Sequence, residues 1–415
     1  MDKTGTLNVP ISAREAAPRG LGSTLGPTLG PTLGPTLGPT LVLALGTFAV
    51  GTDAYVVAGF LPAMAHSLGV TEGTAGQSAT AFAVAYAVLS PVLATALARM
   101  PRRALLVGAL AVLALANLAS ALAPNFGALM VTRVLAASGA AAFTPNAGAV
   151  AASLVAPAQR ARALAVVVGG LTVATALGVP LGNLAGKILD WRAALGLVAA
   201  LCVVCALGVF AAMPALPGNP RIPLRERLAA LRRPGVVAVL PLTVLGLAAG
   251  YGLYAFAVPV MRALGAGAGA ETWLLFLYGV GAVAGNLLAG AMVDRHGPIP
   301  VQAVGFAVLT VTLAAATWAA GAGTHWLPLT AALMAAWGAA TWFQTPAQQV
   351  RLINAAPGET AVVVGLNSSA LYAGIGLGTA LAGALLPVGP PVALAVCAGL
   401  ALACLPYLAA TRRFR

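Results

Sequence analysis

Two charged residues lie well inside apolar stretches of this sequence and are the residues best placed to do chemistry. Asp53 belongs to the first such stretch and Arg133 to the fourth. A charge near the centre of a bilayer costs at least about 2.5–3.5 kcal/mol, so it is rare and usually functional. At a helical rise of about 1.5 Å per residue, Asp53 lies roughly 14 Å and Arg133 roughly 10 Å below the expected outer surface. Opposite charges at similar depth can pair across a helix bundle.

The chemistry that Asp53 can supply is proton transfer. Burial favours the protonated form of a carboxyl group, whereas a neighbouring guanidinium favours the ionised form. A cavity that alternates between wet and dry would shift this balance and drive proton uptake and release. We therefore predict that Asp53 and Arg133 form a proton-coupling site. The alternative is a static ion pair that only packs the bundle.

The composition argues against the other main classes of protein. Hydrophobic residues make up 60% and charged residues 7% of the 415 residues, whereas soluble domains carry roughly 25% charge. Four cysteines are too few for a disulfide framework, and the Cys202-Val-Val-Cys205 pair lies in an apolar stretch without further metal ligands. The spans contain no phosphate-binding loop and no cluster of His, Asp or Glu. We therefore predict no catalytic residue, no metal and no cofactor, and expect a proton gradient as the energy source.

Apolar stretches long enough to cross a bilayer, about 20 residues each, follow one another from Leu41 onward. They predict an all-α membrane protein with twelve transmembrane helices in two six-helix bundles. The predicted spans are 41–65, 74–98, 104–123, 126–154, 163–186, 192–213, 235–260, 271–293, 299–320, 326–350, 360–386 and 390–410.

The remaining segments predict the domain organisation. The tract TLGPTLGPTLGPTLGPTL occupies residues 24–41, and its regular Gly and Pro oppose helix formation. We expect a disordered, low-complexity cytoplasmic tail over 1–40, bundles over 41–213 and 235–410, a polar cytoplasmic linker over 214–234, and a short tail over 411–415.

The basic residues predict the orientation of the chain. Lys187, Arg192 and Arg262 fall on one side of the membrane and Arg133 within a span, so the other 18 of the 22 basic residues share the opposite side. Such an excess marks the cytoplasmic side. We expect a multi-pass protein of the inner (plasma) membrane with both termini in the cytoplasm. The formal charge of +13 therefore reflects topology, and nucleic acid is not an expected partner.

Four sequence motifs are arranged along these spans. The first span contains Gly51-Thr-Asp-Ala-Tyr-Val-Val-Ala-Gly-Phe-Leu-Pro62, and the fourth continues from Arg133 to Gly139 with five residues between them. The fifth contains Gly178-Val-Pro180-Leu-Gly182. The eighth ends in Gly290-Ala-Met-Val-Asp294-Arg295-His-Gly297, whose first-half counterpart retains Arg99, Arg102 and Arg103 but has Ala98 in place of the acid.

In their order and spacing these motifs resemble the major facilitator superfamily, and more narrowly its drug:proton antiporter branch of arabinose-efflux-like and chloramphenicol-exporter-like proteins. The resemblance covers about residues 41–410. It implies that Gly178, Pro180 and Gly182 form a hinge or seal associated with export. It also implies that Asp294 and Arg295 act as a conformational latch on the cytoplasmic face. Gly290 is expected to let two helices approach closely, and the first-half arginines need another partner.

The predicted function is proton-coupled export of small amphipathic organic molecules, including phenicol-type drugs, by a monomer in the lipid bilayer. The substrate site is expected between the two bundles near mid-membrane. Candidate lining residues are Tyr55, Tyr86, Asn146, Tyr251, Tyr254, Tyr278, Asn286, Trp342, Gln344, Gln348 and Tyr372. Each is also compatible with plain helix packing. An importer or facilitator of sugars, or a membrane sensor that transports nothing, are the alternatives.

Overall fold

The structure, a computed structural model, describes residues 37–156, 159–218, 223–267, 269–356 and 359–413. Every regular element in these ranges is a helix. Most of the predicted tail, residues 1–36, lies outside the described residues. Helix α1 (Leu37–Tyr55) begins before the predicted boundary, so residues 37–40 are helical rather than part of a tail. Pro39 lies in the first turn, where no helical hydrogen bond needs its missing N–H.

The first half of the chain forms helices in the places of the six predicted spans. After α1 come α2 (Val57–Leu68), α3 (Glu72–Ala96), α4 (Arg102–Ala121), α5 (Phe126–Ser153), α6 (Arg160–Val173), α7 (Val179–Ile188) and α8 (Trp191–Ala212). Helices α1 and α2 follow each other directly with a bend of 42° between them. Helices α6 and α7 are continuous through a π-helical turn at Ala174–Gly178.

A short linker joins this half to the second. It contains α9 (Leu224–Ala229) and a 3₁₀ turn at Ala230–Arg232. Arg227 in α9 donates Nη2 to the carbonyl of Ala94 at 3.4 Å, which ties the linker to α3. Burial against that helix lowers the pKa of the Arg227 guanidinium, because a low-dielectric environment disfavours the charged form.

The second half repeats the arrangement of the first. Its helices are α10 (Pro234–Tyr251), α11 (Ala257–Ala263), α12 (Glu271–His296), α13 (Pro298–Gly321), α14 (Leu327–Ala355), α15 (Thr360–Leu385) and α16 (Pro390–Ala410). Helices α10 and α11 form one span through a 3₁₀ turn at Gly252–Phe256.

Among the described residues, ten helical segments are long and apolar enough to cross a membrane, or eleven if the bent α1–α2 pair is one span. The remaining predicted span is α14, which has 29 residues but carries Gln344, Gln348 and Arg351 in its second half. Apolar side chains cover the outside of the molecule; Leu122 and Val131 are 73% and 70% exposed. A surface of this kind is stable only against lipid, so the chain is a multi-pass membrane protein.

Glycines determine how closely several helices pack. A Cβ added at Gly338 on α14 would overlap the backbone carbonyl of Tyr278 on α12, and Cβ atoms at Gly281 and Gly285 would overlap the backbone of α14. Small residues let membrane helices gain dispersion contacts where the hydrophobic effect gives none. The expectation of a close approach at Gly290 is wrong, because a Cβ there would meet nothing within 4 Å.

The two halves contact each other along three helix pairs. Helix α3 packs on α15, α7 with the preceding π-helical turn packs on α12, and α2 packs on α11 and the 3₁₀ turn that precedes it. We call the end of the molecule that carries Lys187, Arg262 and Glu271 the Glu271 end, and the opposite end, at the start of α4 and the end of α14, the Arg102 end. The functional site lies between the halves and between these two ends.

Candidate functional site

Asp53 and Arg133 form a buried ion pair between α1 and α5. Arg133 Nη1 lies 2.7 Å from Asp53 Oδ1, and the two side chains are 1% and 0% exposed. Arg133 Nη2 also donates to the backbone carbonyl of Asp53 at 3.0 Å. The guanidinium carbon lies 4.8 Å from the ring centroid of Phe82, a cation–π distance. The structure therefore brings the two predicted coupling residues together inside the first half.

This ion pair is incompletely hydrogen-bonded. Asp53 Oδ2 and Arg133 Nε are buried and have no hydrogen-bond partner among the described residues. Burying a polar atom without a partner costs about 1–3 kcal/mol, so a packing role alone would favour full pairing. Oδ2 therefore stays open to a further hydrogen bond while Oδ1 keeps its bond to Arg133.

Aromatic side chains from both halves form a cluster beside the ion pair. Tyr55 contacts Tyr251 with ring centroids 5.0 Å apart, and Tyr86 stacks on Tyr372 at 3.7 Å. The cluster continues in the second half. The ring centroids of Tyr254 and Tyr278 lie 4.2 Å apart, and those of Tyr251 and Trp342 lie 6.1 Å apart. Seven of the eleven predicted lining residues therefore meet at the interface between the halves.

A small cavity lies within this aromatic cluster. Its walls are apolar and aromatic, and it admits about one water molecule. The lining includes Tyr55, Phe82, Tyr251, Tyr254 and Tyr372, with alanines of α1, α2 and α3. The hydroxyls of Tyr251 and Tyr254, both in the lining, are buried without a hydrogen-bond partner among the described residues. A ligand with acceptor atoms would satisfy these donors.

The other four predicted lining residues do not join the cluster. Asn146 lies at the Arg102 end, and Asn286 is half-buried further along α12. Gln344 packs against Gly246 of α10, and Gln348 donates to the backbone carbonyl of Val239 at 2.5 Å. Asn146, Gln344 and Gln348 thus make contacts within one half.

The first-half arginines find a partner other than the missing acid. Arg102 is only 7% exposed and donates Nη1 to Asn146 Oδ1 at 2.7 Å, which links α4 to α5. Arg103 stacks its guanidinium 4.1 Å from the ring centroid of Phe210, and Arg99 is exposed. Asn146 thus takes the place of the carboxylate that Ala98 cannot supply.

The second-half motif is open in this conformation. Asp294 and Arg295 are exposed, and among the described residues neither takes part in an ion pair. Gly297 has φ = 78° and ends α12, a backbone conformation that glycine adopts without strain. The latch role predicted for Asp294 and Arg295 remains a prediction.

The glycine motif of the fifth span packs directly on the first span. A Cβ at Gly178 would overlap the Thr52 side chain, and one at Gly182 would overlap Val56. Pro180 is buried in the first turn of α7. Gly178 closes the π-helical turn, so the motif combines a local change of helix geometry with a close approach to the helix that carries Asp53.

Sequence reasoning missed a buried arginine in the second half. Arg351, placed at a loop by the predicted spans, is 0% exposed. It donates Nη1 to Gln302 Oε1 at 3.0 Å and Nη2 to the backbone carbonyl of Thr411 at 3.1 Å. Gln302 also hydrogen-bonds Gln348. These contacts join α13, α14 and the end of α16. The available signal in the sequence was that Gln348 and Arg351 are three residues apart, so both lie on one face of a helix.

Replacing Gln302 with leucine is expected to destabilise the second half. The change removes one acceptor of the buried Arg351 guanidinium, and a hydrogen bond to a charged group contributes about 1.5–3 kcal/mol. Thermal unfolding of the purified protein in detergent measures the effect as a lower transition temperature. Thr317→Val on the same helix is the control, since the Thr317 hydroxyl only bonds back to Leu313 of its own helix. Equal transition temperatures for both variants would contradict a stabilising role for the Gln302–Arg351 contact.

Sequence reasoning also missed an acidic residue at the contact between the halves. Glu271 begins α12 and is 1% exposed. Its carboxylate lies 2.7 Å from Lys187 Nζ on α7 and 3.0 Å from Arg262 Nε on α11. Lys187, Arg262 and Glu271 lie at the ends of three predicted spans, all on the same side of the membrane. Their opposite charges were the signal in the sequence for an ion pair.

Comparison with known proteins shows which protein family this chain resembles. The family model of the Major Facilitator Superfamily matches residues 43–267 and 240–414. The inner membrane transport protein YdhP of Escherichia coli K12 is 32% identical over 87% of this chain and 93% of its own. The chloramphenicol resistance protein of Streptomyces lividans is 35% identical over 65% of this chain and 70% of its own.

Solved structures share the fold. A bacterial homologue of the human lysosomal transporter Spinster, in an inward-facing and unoccupied conformation, aligns with a TM-score of 0.69 at 19% identity over 92% of this chain and 95% of its own. A D-xylose-proton symporter aligns with a TM-score of 0.70 at 17% identity over 89% of this chain and 96% of its own. With its two six-span halves and the matching family model, the chain belongs to the major facilitator superfamily of membrane transporters.

Proposed function

We propose that this transporter is a proton-coupled exporter of small, amphipathic, uncharged organic molecules. The observation that carries the proposal is the buried Asp53–Arg133 pair with an open carboxylate oxygen, set beside an aromatic cavity at the interface of the halves. In the proposed cycle, rocking of the halves exposes the cavity to one side of the membrane at a time. Asp53 binds a proton when its surroundings face outward and releases it when they face inward.

In the observed conformation the cavity has room for about one water molecule, so cargo enters only when the halves move apart. Its walls, which are rings and small aliphatic side chains with unpartnered hydroxyls on Tyr251 and Tyr254, suit a flat, mostly apolar cargo with hydrogen-bond acceptors. The carboxylate of Asp53 is neutralised by Arg133, so the site offers no net negative charge to an organic cation. A sugar would need several more polar side chains around it than this cavity provides.

Direction and orientation follow from separate observations. The Gly178–Gly182 motif is associated with export in the drug:proton antiporter branch, and one relative is named for chloramphenicol resistance. By the positive-inside rule we expect the arginine-rich Arg102 end to face the cytoplasm, with both termini on that side and the Glu271 end outside. We propose that the chain works as a monomer in the plasma membrane, with the proton gradient as its energy source.

Susceptibility profiling of an efflux-deficient bacterial host tests the export proposal. Cells that express the chain are expected to tolerate at least about fourfold more chloramphenicol, or another neutral amphipathic compound in the panel, than cells with an empty vector. The readout is the minimal inhibitory concentration. Unchanged tolerance across the panel, together with faster uptake of radiolabelled xylose, would overturn export in favour of sugar import.

A further inference from the structure

Glu271 binds two cations that belong to different halves of the transporter. Lys187 reaches its Oε2 from α7 in the first half at 2.7 Å, and Arg262 reaches its Oε1 from α11 in the second half at 3.0 Å. The Glu271 side chain is 2% exposed, whereas those of Lys187 and Arg262 are 36% and 50% exposed. One buried carboxylate therefore holds the halves together at this end.

A neighbouring hydrogen bond makes the same connection. Thr272 Oγ1 on α12 donates to Asn183 Oδ1 on α7 at 2.6 Å, and Asn183 Nδ2 donates to the carbonyl of Gly59 on α2. Asn183 and Lys187 are four residues apart, so they lie on one face of α7. The face of α7 that meets α12 thus carries a contiguous polar contact between the halves.

We propose that Glu271 acts as a latch in the transport cycle. Its bond to Lys187 holds the Glu271 end closed, and its bond to Arg262 keeps the carboxylate paired when that end opens. This inference rests on the proposed alternation of the halves. Removing the partner of a buried charge is strongly destabilising when the charge is left alone. When the halves separate here, Arg262 moves with Glu271, and the partly exposed Lys187 enters water. The latch therefore opens without leaving an unpaired buried charge.

The two cations consequently have opposite expected effects. Lys187→Met removes the bond between the halves and leaves Glu271 paired with Arg262, so the Glu271 end opens more often. Arg262→Met leaves Lys187 as the only cation on Glu271, so opening would leave the carboxylate unpaired and the closed state gains. A role limited to stabilising the fold would give both variants the same sign.

Labelling of an introduced thiol from outside the cell distinguishes these cases. Ala58 is 2% exposed and lines the central cavity, so Ala58→Cys reports opening of the Glu271 end to a membrane-impermeant maleimide. Cys202, Cys205, Cys397 and Cys404 are all buried, and the chain without the new thiol provides the background rate. Arg192→Gln is the matched control, because the contacts of Arg192 among the described residues, with Ser67, Ala123 and the Trp191 ring, all lie within its own half.

We expect Lys187→Met to raise the labelling rate about three- to tenfold and Arg262→Met to lower it about threefold or more, with Arg192→Gln unchanged. Rates that move in the same direction for both variants, or that do not move, would overturn the latch. Labelling requires no cargo, so its result is independent of the export assay. Inverted vesicles are labelled in parallel to separate a wrong orientation from a missing latch. If the Glu271 end faces the cytoplasm, the expected ratios of labelling rates would appear in the inverted vesicles and not in intact cells.

Discussion

Replacing Asp53 with asparagine is expected to abolish accumulation driven by a proton gradient while leaving passive exchange of cargo intact. Asparagine keeps the size of the side chain and an oxygen that accepts from Arg133 Nη1, but it cannot bind and release a proton. Arg133 also keeps its bond to the backbone carbonyl of residue 53 and its contact with Phe82. The buried guanidinium therefore keeps these contacts but loses its counter-charge, so transport by the variant is normalised to the amount of folded, inserted protein.

Proteoliposomes with radiolabelled chloramphenicol provide the measurement. Cargo accumulation driven by an imposed pH gradient should fall at least about 100-fold, which corresponds to about 2.7 kcal/mol of lost free energy of accumulation. Counterflow of cargo without a pH gradient should stay within a few-fold of the unchanged protein. Asp190→Asn is the control, because Asp190 caps α8 and asparagine is an equally good cap. Full accumulation by the Asp53 variant would contradict the assignment of the coupling site.

A methyl group at Gly279 is expected to reduce transport by about tenfold or more. Gly279 on α12 faces the π-helical turn of the other half, and a Cβ there would overlap the backbone of Thr175 and Ala176. Backbone atoms cannot rotate away as a flexible side chain can, so Gly279→Ala prevents the halves from closing in the observed arrangement.

Gly290→Ala on the same helix is the matched variant for that experiment. It adds the same methyl group where nothing lies within 4 Å, and alanine favours a helix over glycine by about 1 kcal/mol in both cases. Efflux rates in cells, normalised to the amount of inserted protein, compare the two. If both alanines leave transport unchanged, the contact between Gly279 and the first half is not needed in the cycle.

The sequence was sufficient for the elements and for the pairing of the two deep charges. Lengths of apolar runs reflect the thickness of the bilayer, which explains why helices lie at the predicted spans. Asp53 and Arg133 were identifiable because a charge in hydrocarbon needs a partner. The tyrosines were identifiable only as a group, since aromatic residues pack in interfaces and lipid-facing belts as well.

The sequence did not predict how each helix is rotated about its own axis, and therefore which of its faces points into the bundle. Membrane helices are apolar on the lipid side and on the packed side, so periodicity gives little information about which face points inward. For that reason Asn146 and Gln348 were wrongly grouped with the cavity, and Gly290 was wrongly given a close neighbour. Glu271 and Arg351 were overlooked because boundaries between span and loop shift by a few residues, and both lie at such boundaries.

The anchoring of Arg351 has a consequence for the biogenesis of the second half. Its guanidinium is held by Thr411, which follows it by 60 residues in the chain. During synthesis α14 is therefore made before one of the acceptors of its buried cation exists. Until α16 has been translated and docked, Arg351 can use Gln302 on α13 but not Thr411 as an acceptor, so the hydrogen bonds of this buried cation are complete only once the last helix is in place.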